Sequence, residues 1–439
     1  RRSCTRGETF RQKMADKRKA EASAEGKESS AKRQLLDWNI ASTDISENTI
    51  NPIRAIVDQL KIPKSKDKPL IPLSIGDPTV FGNLNPPDSL NRAVQSALAT
   101  NKFTGYAPSP GVPAAREAIA KKFTHQDAPL KADDIVIASG CSGAITLAIQ
   151  ALASTGDNIL MPRPGFSLYA TVAGHSGVQV KEYNLLPDKQ WECDLEHMGT
   201  LVDDRTRCIV VNNPSNPTGS NYSKQHLLDI LAFAQKHKIA ILADEIYENM
   251  VFEGETFYSL PTLTTEVPIL VCGGIAKQYL VPGWRVGWVA VHDRKNRFDK
   301  VRVALQKLST LILGACTLVQ GALPDLFEHT EESYYTGLMK QLSTQAKFIS
   351  AELSKHKCLR VIQPQGAMYV MVEVLVDQFK DISSDTDFAQ KLLDEEFVFV
   401  LPGKCFNAPG FFRVVTCPPI DMLQTAATRI EAFVHRHSK

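Results

Sequence analysis

A lysine closes the run Cys272-Gly273-Gly274-Ile275-Ala276-Lys277, just beyond an apolar strand and a glycine pair, and Val281-Pro282-Gly283-Trp284-Arg285 follows it. A primary amine held at a strand end can condense with a carbonyl and carry it as an imine, provided a partner exists to exploit that bond. Upstream, Ile241-Leu242-Ala243-Asp244 places a carboxylate at the C-terminal end of a near-continuous apolar strand, where open α/β sheets bind ligands. A carboxylate beside a pyridine nitrogen keeps it protonated, and the ring can then withdraw electrons from a carbanion formed next to an imine. Lysine and acid together therefore suit a pyridoxal-type cofactor. Taken singly, each has a plainer reading: strand-end lysines are more often solvated charges, and Asp244 serves equally well as a helix cap.

Two further stretches fit the same chemistry. Asn212-Asn213-Pro214-Ser215-Asn216-Pro217-Thr218-Gly219 is a tightly constrained turn after an apolar strand, from which Asn216 could hold a phenolic oxygen with Tyr247 as a second donor. Ser139-Gly140-Cys141-Ser142-Gly143 leads directly into an apolar helix, so its backbone N–H groups face an anion at a helix N-terminus, and Arg285 would add a charge-assisted contact to a phosphate. Local turn hydrogen bonds for Asn216 and Tyr247, and simple capping at Gly140, remain the competing explanations.

The elements that must position these groups show βαβ grammar. Strand-like runs at 135–138, 158–161, 208–211, 240–243, 268–271 and 286–289 alternate with helical or turn-rich segments, including a helix from Ser142 through Ala153. Runs of four or five apolar residues suit strands buried on both faces. An amphipathic stretch from Asn51 to Leu60 and a short strand from Leu70 to Ile75 precede them, and after Gln320 helices and shorter strands at 367–374 and 411–415 suggest a second, α+β domain. The expected division is a basic disordered tail over 1–48, an N-terminal segment over 49–95 that joins the small domain, a large domain over 96–330 and the small domain over 331–439.

Composition narrows the function classes. At 439 residues the chain exceeds one ordinary core, and its 43% hydrophobic and 22% charged residues are those of a globular protein. Residues 1–33 hold eleven Lys or Arg against five Asp or Glu, so the net charge of +2 conceals a basic tail on a mildly acidic remainder, and no nucleic-acid footprint covers the fold. The nine cysteines show neither disulfide-like nor metal-type spacing, which favours reduced thiols and no metal site. No run approaches the eighteen or so apolar residues of a membrane-spanning helix, and no membrane partner is expected. A cytoplasmic location is expected, with the Arg-rich, Ser-containing start also compatible with mitochondrial import.

With Lys277, Asp244, Asn216 and the Gly140 turn in one order along an alternating sheet, the chain resembles the fold-type I, class I aminotransferases from about Asn51 to His435. Supporting stretches are NPIR at Asn51, SIGDPT at Ser74, GYAPS at Gly105, PRPGFSLY at Pro162, ADEIY at Ala243, LVPGWR ending at Arg285 and GAMY at Gly366. The resemblance implies a mostly parallel seven-stranded sheet between helices, a smaller α+β domain and pyridoxal 5'-phosphate bound covalently through Lys277. It further implies Asp244 at the pyridine nitrogen, Asn216 and Tyr247 at the phenolic oxygen and Phe166 on the ring face, although Phe166 alone would read as a core aromatic. Gly140, Cys141, Ser142 and Arg285 would hold the phosphate, with Tyr106 supplied to the site of a neighbouring subunit, so a homodimer with shared sites is implied. Arg413, helped by the Gly76 backbone, would grip the substrate carboxylate. The activity implied is ping-pong transfer of an amino group from an aromatic amino acid such as L-tyrosine to 2-oxoglutarate or another 2-oxo acid. A broad-specificity or alanine-type transaminase, a carbon–sulfur lyase on the same scaffold and a non-catalytic descendant are the alternatives.

Overall fold

In the computed structural model, which describes residues 40–60 and 68–439, the short apolar runs form strands in three sheets. In chain order they are β1 (Ile71–Pro72), β2 (Ile135–Ser139), β3 (Asn158–Arg163), β4 (Gln179–Leu186), β5 (Glu192–Cys193), β6 (Thr206–Asn212) and β7 (Ala240–Asp244). There follow β8 (Ile269–Gly274), β9 (Val286–His292), β10 (Leu359–Ile362), β11 (Tyr369–Val374), β12 (Val398–Phe399), β13 (Leu401–Pro402) and β14 (Phe411–Val415).

The large sheet runs β2-β9-β8-β7-β6-β3-β4-β5. Its centre, β8-β7-β6-β3-β4, is parallel, whereas β9 is antiparallel to both neighbours. Seven strands were expected and the sheet has eight. The additional β5 is two residues long and antiparallel to β4, too short to register as an apolar run.

Successive side chains on a strand point to opposite faces, and both faces here are apolar. Ile209, Val211, Ile241, Ala243, Ile269 and Val271 enter one core with the helices Asp88–Ala99, Pro113–Phe123, Lys224–His237 and Thr317–His329. Cys208, Val210, Leu242, Leu270 and Cys272 enter the other, against Gly140–Leu152, Leu168–His175 and Asp299–Ser309. Each fully buried Leu or Ile contributes about 1.5–3 kcal/mol relative to exposure. Continuous apolar strands in this sequence therefore mean a sheet covered by helices on both sides.

The second sheet, β10-β11-β14-β13, is antiparallel and packs with the helices Asp385–Glu396 and Ile420–His437 around Phe388, Phe412 and Phe433. β1 pairs with β12 in a two-stranded ladder. The strand expected over 70–75 shortens to two residues because later carbonyls of the stretch have other acceptor duties: Leu73 O takes the Val415 N–H at 2.9 Å. The expected N-terminal segment divides, with Ile71–Pro72 beside the second sheet and Asp88–Ala99 in the core of the large one.

Residues Ile45–Lys439 form one compact unit, so the boundary expected at 330 distinguishes two sheets within it. Most of the basic tail lies outside the described residues. No described helix is long and apolar enough to cross a membrane.

Candidate active site

β6, β7 and β8 run in parallel, so their C-terminal ends open on one edge of the sheet. There a cavity of about 410 Å³ gathers Cys141, Ser142, Phe166, Asn216, Asp244, Tyr247, Lys277, Arg285, Gly76 and Arg413. Ten of the twelve site residues proposed from sequence thus line one cavity. Gly140 adjoins it beneath Arg285. Tyr106 does not join the group, being 94% exposed.

Asp244 ends β7 and is 2% exposed. Its Oδ2 accepts from Tyr169 Oη at 2.6 Å, and Oδ1 takes weaker contacts from Ile246 N at 3.3 Å and Cys141 Sγ at 3.6 Å. Burial pushes the carboxyl above its ordinary range, while those donors and Lys277 pull the other way. The same burial pushes the Cys141 thiol and the Tyr169 hydroxyl well up, so both stand as protonated donors.

The turn after β6 is held by Asn212, whose Oδ1 accepts from Asn216 N at 2.8 Å while its Nδ2 donates to Asp244 O at 3.0 Å. Asn212 thereby fixes Asn216 relative to β7. Asn216 Oδ1 in turn accepts from Arg413 Nη1 at 2.8 Å.

Arg413 comes from β14 and is 4% exposed. Nη2 donates to Ser74 O at 2.8 Å, but Nε is buried without a partner, and no carboxylate pairs with the guanidinium among the described residues. Burial pulls the guanidinium below its ordinary value. A buried cation without a counter-ion is costly, and an incoming carboxylate would remove that cost.

Lys277, half-buried, donates from Nζ to Gly76 O at 2.8 Å and lies 5.8 Å from the centre of the Tyr247 ring. Ser74 and Gly76, two residues apart, therefore offer their carbonyls to the two cations of the site.

The helix Gly140–Leu152 begins two residues before the expected start. Ser139 makes no side-chain cap, which leaves first-turn N–H groups for an anion. Gly140 has φ +71°, and a Cβ there would sit 2.4 Å from Arg285 Nη2, so only glycine allows the guanidinium to lie over this turn. Arg285 is tied down by donation to Pro282 O at 2.9 Å and Ser139 O at 3.2 Å.

Among the polar residues that escaped the sequence reading are Tyr169, Asn212 and Tyr369. The first two stood inside quoted motifs, Tyr169 one helical turn after Phe166. Tyr369 ends GAMY, and its hydroxyl lies 2.8 Å from that of Tyr247. Apolar walls from Ile53, Ile75 and Leu401 were likewise unassigned.

A family model described as aminotransferase class I and II matches residues 68–430. The chain is 47% identical over 408 residues to tyrosine aminotransferase of Mus musculus, covering 93% of this chain and 90% of that protein. Among solved structures, tyrosine aminotransferase from Leishmania infantum superimposes with a TM-score of 0.88 at 37% identity, over 92% of this chain and 100% of that one. Alanine aminotransferase from Pyrococcus furiosus gives 0.85 at 30% identity, over 90% and 100%.

Proposed function

The chain belongs to the class I and II aminotransferases, and from that premise we propose that it moves the amino group of L-tyrosine, and of other aromatic amino acids, to a 2-oxo acid such as 2-oxoglutarate. The enzyme depends on pyridoxal 5'-phosphate, and the cavity fits it. Asp244 would meet the pyridine nitrogen, Phe166 a ring face, Asn216 and Tyr247 the phenolic oxygen, and the Gly140–Ser142 turn with Arg285 the phosphate. When bound, the cofactor supplies an aldehyde carbon for an amine and a ring that withdraws electrons.

The chain's own groups do the rest. Arg413 fixes the substrate carboxylate through its unused N–H groups, Nε among them, as a planar fork. Lys277 Nζ would act as general base at the substrate Cα, passing that proton on to the cofactor's aldehyde-derived carbon in the same half-reaction, and as general acid would deliver a proton to the Cα of the 2-oxo acid in the reverse one. Asp244, shielded from water, holds positive charge on its partner throughout. Ile53, Ile75 and Leu401 offer an apolar wall to the substrate side chain.

The observation that carries this reading is the buried Arg413, without an anionic partner among the described residues and sharing the cavity with Lys277. Arg413→Lys, which keeps charge but loses the fork, is expected to lower kcat/KM about 10–10²-fold for amino and oxo acids alike. Steady-state kinetics with both substrates check this; an unchanged value for either would remove Arg413 from the carboxylate site.

Substrate and reaction type are tested together by mixing cofactor-loaded enzyme with L-tyrosine alone and identifying the product. Stoichiometric 4-hydroxyphenylpyruvate is expected. Turnover of L-alanine but not L-tyrosine would overturn the substrate assignment and retain the reaction, whereas pyruvate and ammonia from a cysteine conjugate without oxo-acid demand would indicate lyase chemistry.

The working form proposed is a homodimer in which Tyr106 reaches the partner's phosphate site. In support, Tyr106 is exposed and the apolar Leu311 and Ile312 are 73% and 76% exposed beside a groove lined by Ser139 and Gly143, next to the phosphate turn. A cytosolic location accords with eight free cysteines among the described residues, seven of them buried.

A further inference from the structure

Tyr369 is the least explained polar residue of the site. It opens β11, beside the β14 strand that carries Arg413, and is 2% exposed. The Arg413 guanidinium lies 4.5 Å from its ring centre. Its hydroxyl stands 2.8 Å from Tyr247 Oη, and a methyl group at Gly76 would come within 2.9 Å of that same oxygen. One phenol thus touches the tyrosine proposed for the cofactor, the arginine proposed for the substrate and the glycine whose carbonyl holds Lys277.

A phenol has one proton to donate. The Tyr247–Tyr369 bond is compatible with either donor while Tyr247 has no other acceptor. Once Tyr247 gives its proton to a phenolic oxygen, its own oxygen can only accept, and Tyr369 is the side chain placed to supply that bond. Hydrogen bonds in such chains polarise one another, so the second phenol strengthens the first as a donor.

We propose that Tyr369 is a positioning residue, whose hydroxyl donates to Tyr247 and thereby orients and strengthens the Tyr247 contact to the cofactor's phenolic oxygen. The proposal rests on the cofactor placement given above. Ring packing against Arg413 is a separate duty that phenylalanine retains, so Tyr369→Phe removes the hydroxyl alone.

The test is the absorbance titration of the Lys277-bound cofactor in wild type, Tyr369→Phe, Tyr247→Phe and the double variant, with melting temperature as a fold control. A donor to the phenolic oxygen favours its deprotonated form and lowers the midpoint. Tyr369→Phe should therefore raise it by about 0.4–1 unit, Tyr247→Phe should raise it further, and adding Tyr369→Phe to Tyr247→Phe should change little. Fluorotyrosine at position 369, a stronger donor of nearly the same shape, should move the midpoint down and covers the case of a poorly folded phenylalanine variant. An unchanged midpoint in Tyr369→Phe, or an equal shift with and without Tyr247, overturns the proposal while leaving the cofactor site intact. Absence of any lysine-bound chromophore in wild type overturns the cofactor placement and this inference with it.

Discussion

Lys277→Ala is expected to lower turnover of L-tyrosine by about 10⁴-fold or more, the upper end of what a positioned acid–base group contributes, because the covalent tether is lost with it. Half-burial and the 2.8 Å bond to Gly76 O hold the amine in one place. Its removal takes only a single hydrogen bond from the fold, and the variant should remain folded with cofactor held non-covalently by the Gly140 turn and Asp244. Single-turnover product release measures the loss, and small primary amines added to the buffer should restore part of it. A variant within tenfold of wild type would remove Lys277 from the chemistry.

Asp244→Asn follows in size, with kcat expected to fall about 10²–10³-fold, the usual consequence of deleting one preorganised electrostatic group. The carboxylate is buried, and an amide of the same shape cannot hold positive charge on a pyridine nitrogen. The swap also replaces one of two acceptor oxygens used by Tyr169, Ile246 and Cys141, so a destabilisation of about 1 kcal/mol is expected. Kinetics and melting on the same sample separate the two effects: a large loss of stability with unchanged kcat would make Asp244 structural only.

Much of this arrangement was legible in the sequence for a physical reason. Strands buried on both faces need unbroken apolar runs, so β6, β7 and β8 announced themselves, and the polar residues at their ends stood out by contrast. Parallel pairing then brought Asn216, Asp244 and Lys277 to one edge. β5 was invisible because two residues carry no period. The stretch after Leu70 read as strand throughout, since nothing local reveals that Ser74 and Gly76 spend their carbonyls on Arg413 and Lys277, 339 and 201 residues away. Tyr169 and Tyr369 escaped for a related reason: each hydroxyl acquires meaning only opposite a partner brought by another element. The burial of Arg413 without a counter-ion is a property of the packed second sheet and of no sequence window.

The carbonyls of Ser74 and Gly76 hold the two cations of the site from a single stretch of chain, and two extended residues span no more than about 7 Å. On the roles proposed for Arg413 and Lys277, that stretch spaces the carboxylate anchor from the reacting amine. α-Amino acids are therefore expected to be used in preference to β- or γ-amino acids, whose inserted methylenes lengthen the span from carboxylate to nitrogen, and kcat/KM for L-tyrosine and its β-homologue checks this. That preference is expected to survive exchange of the apolar residues Ile53, Ile75 and Leu401 that line the cavity.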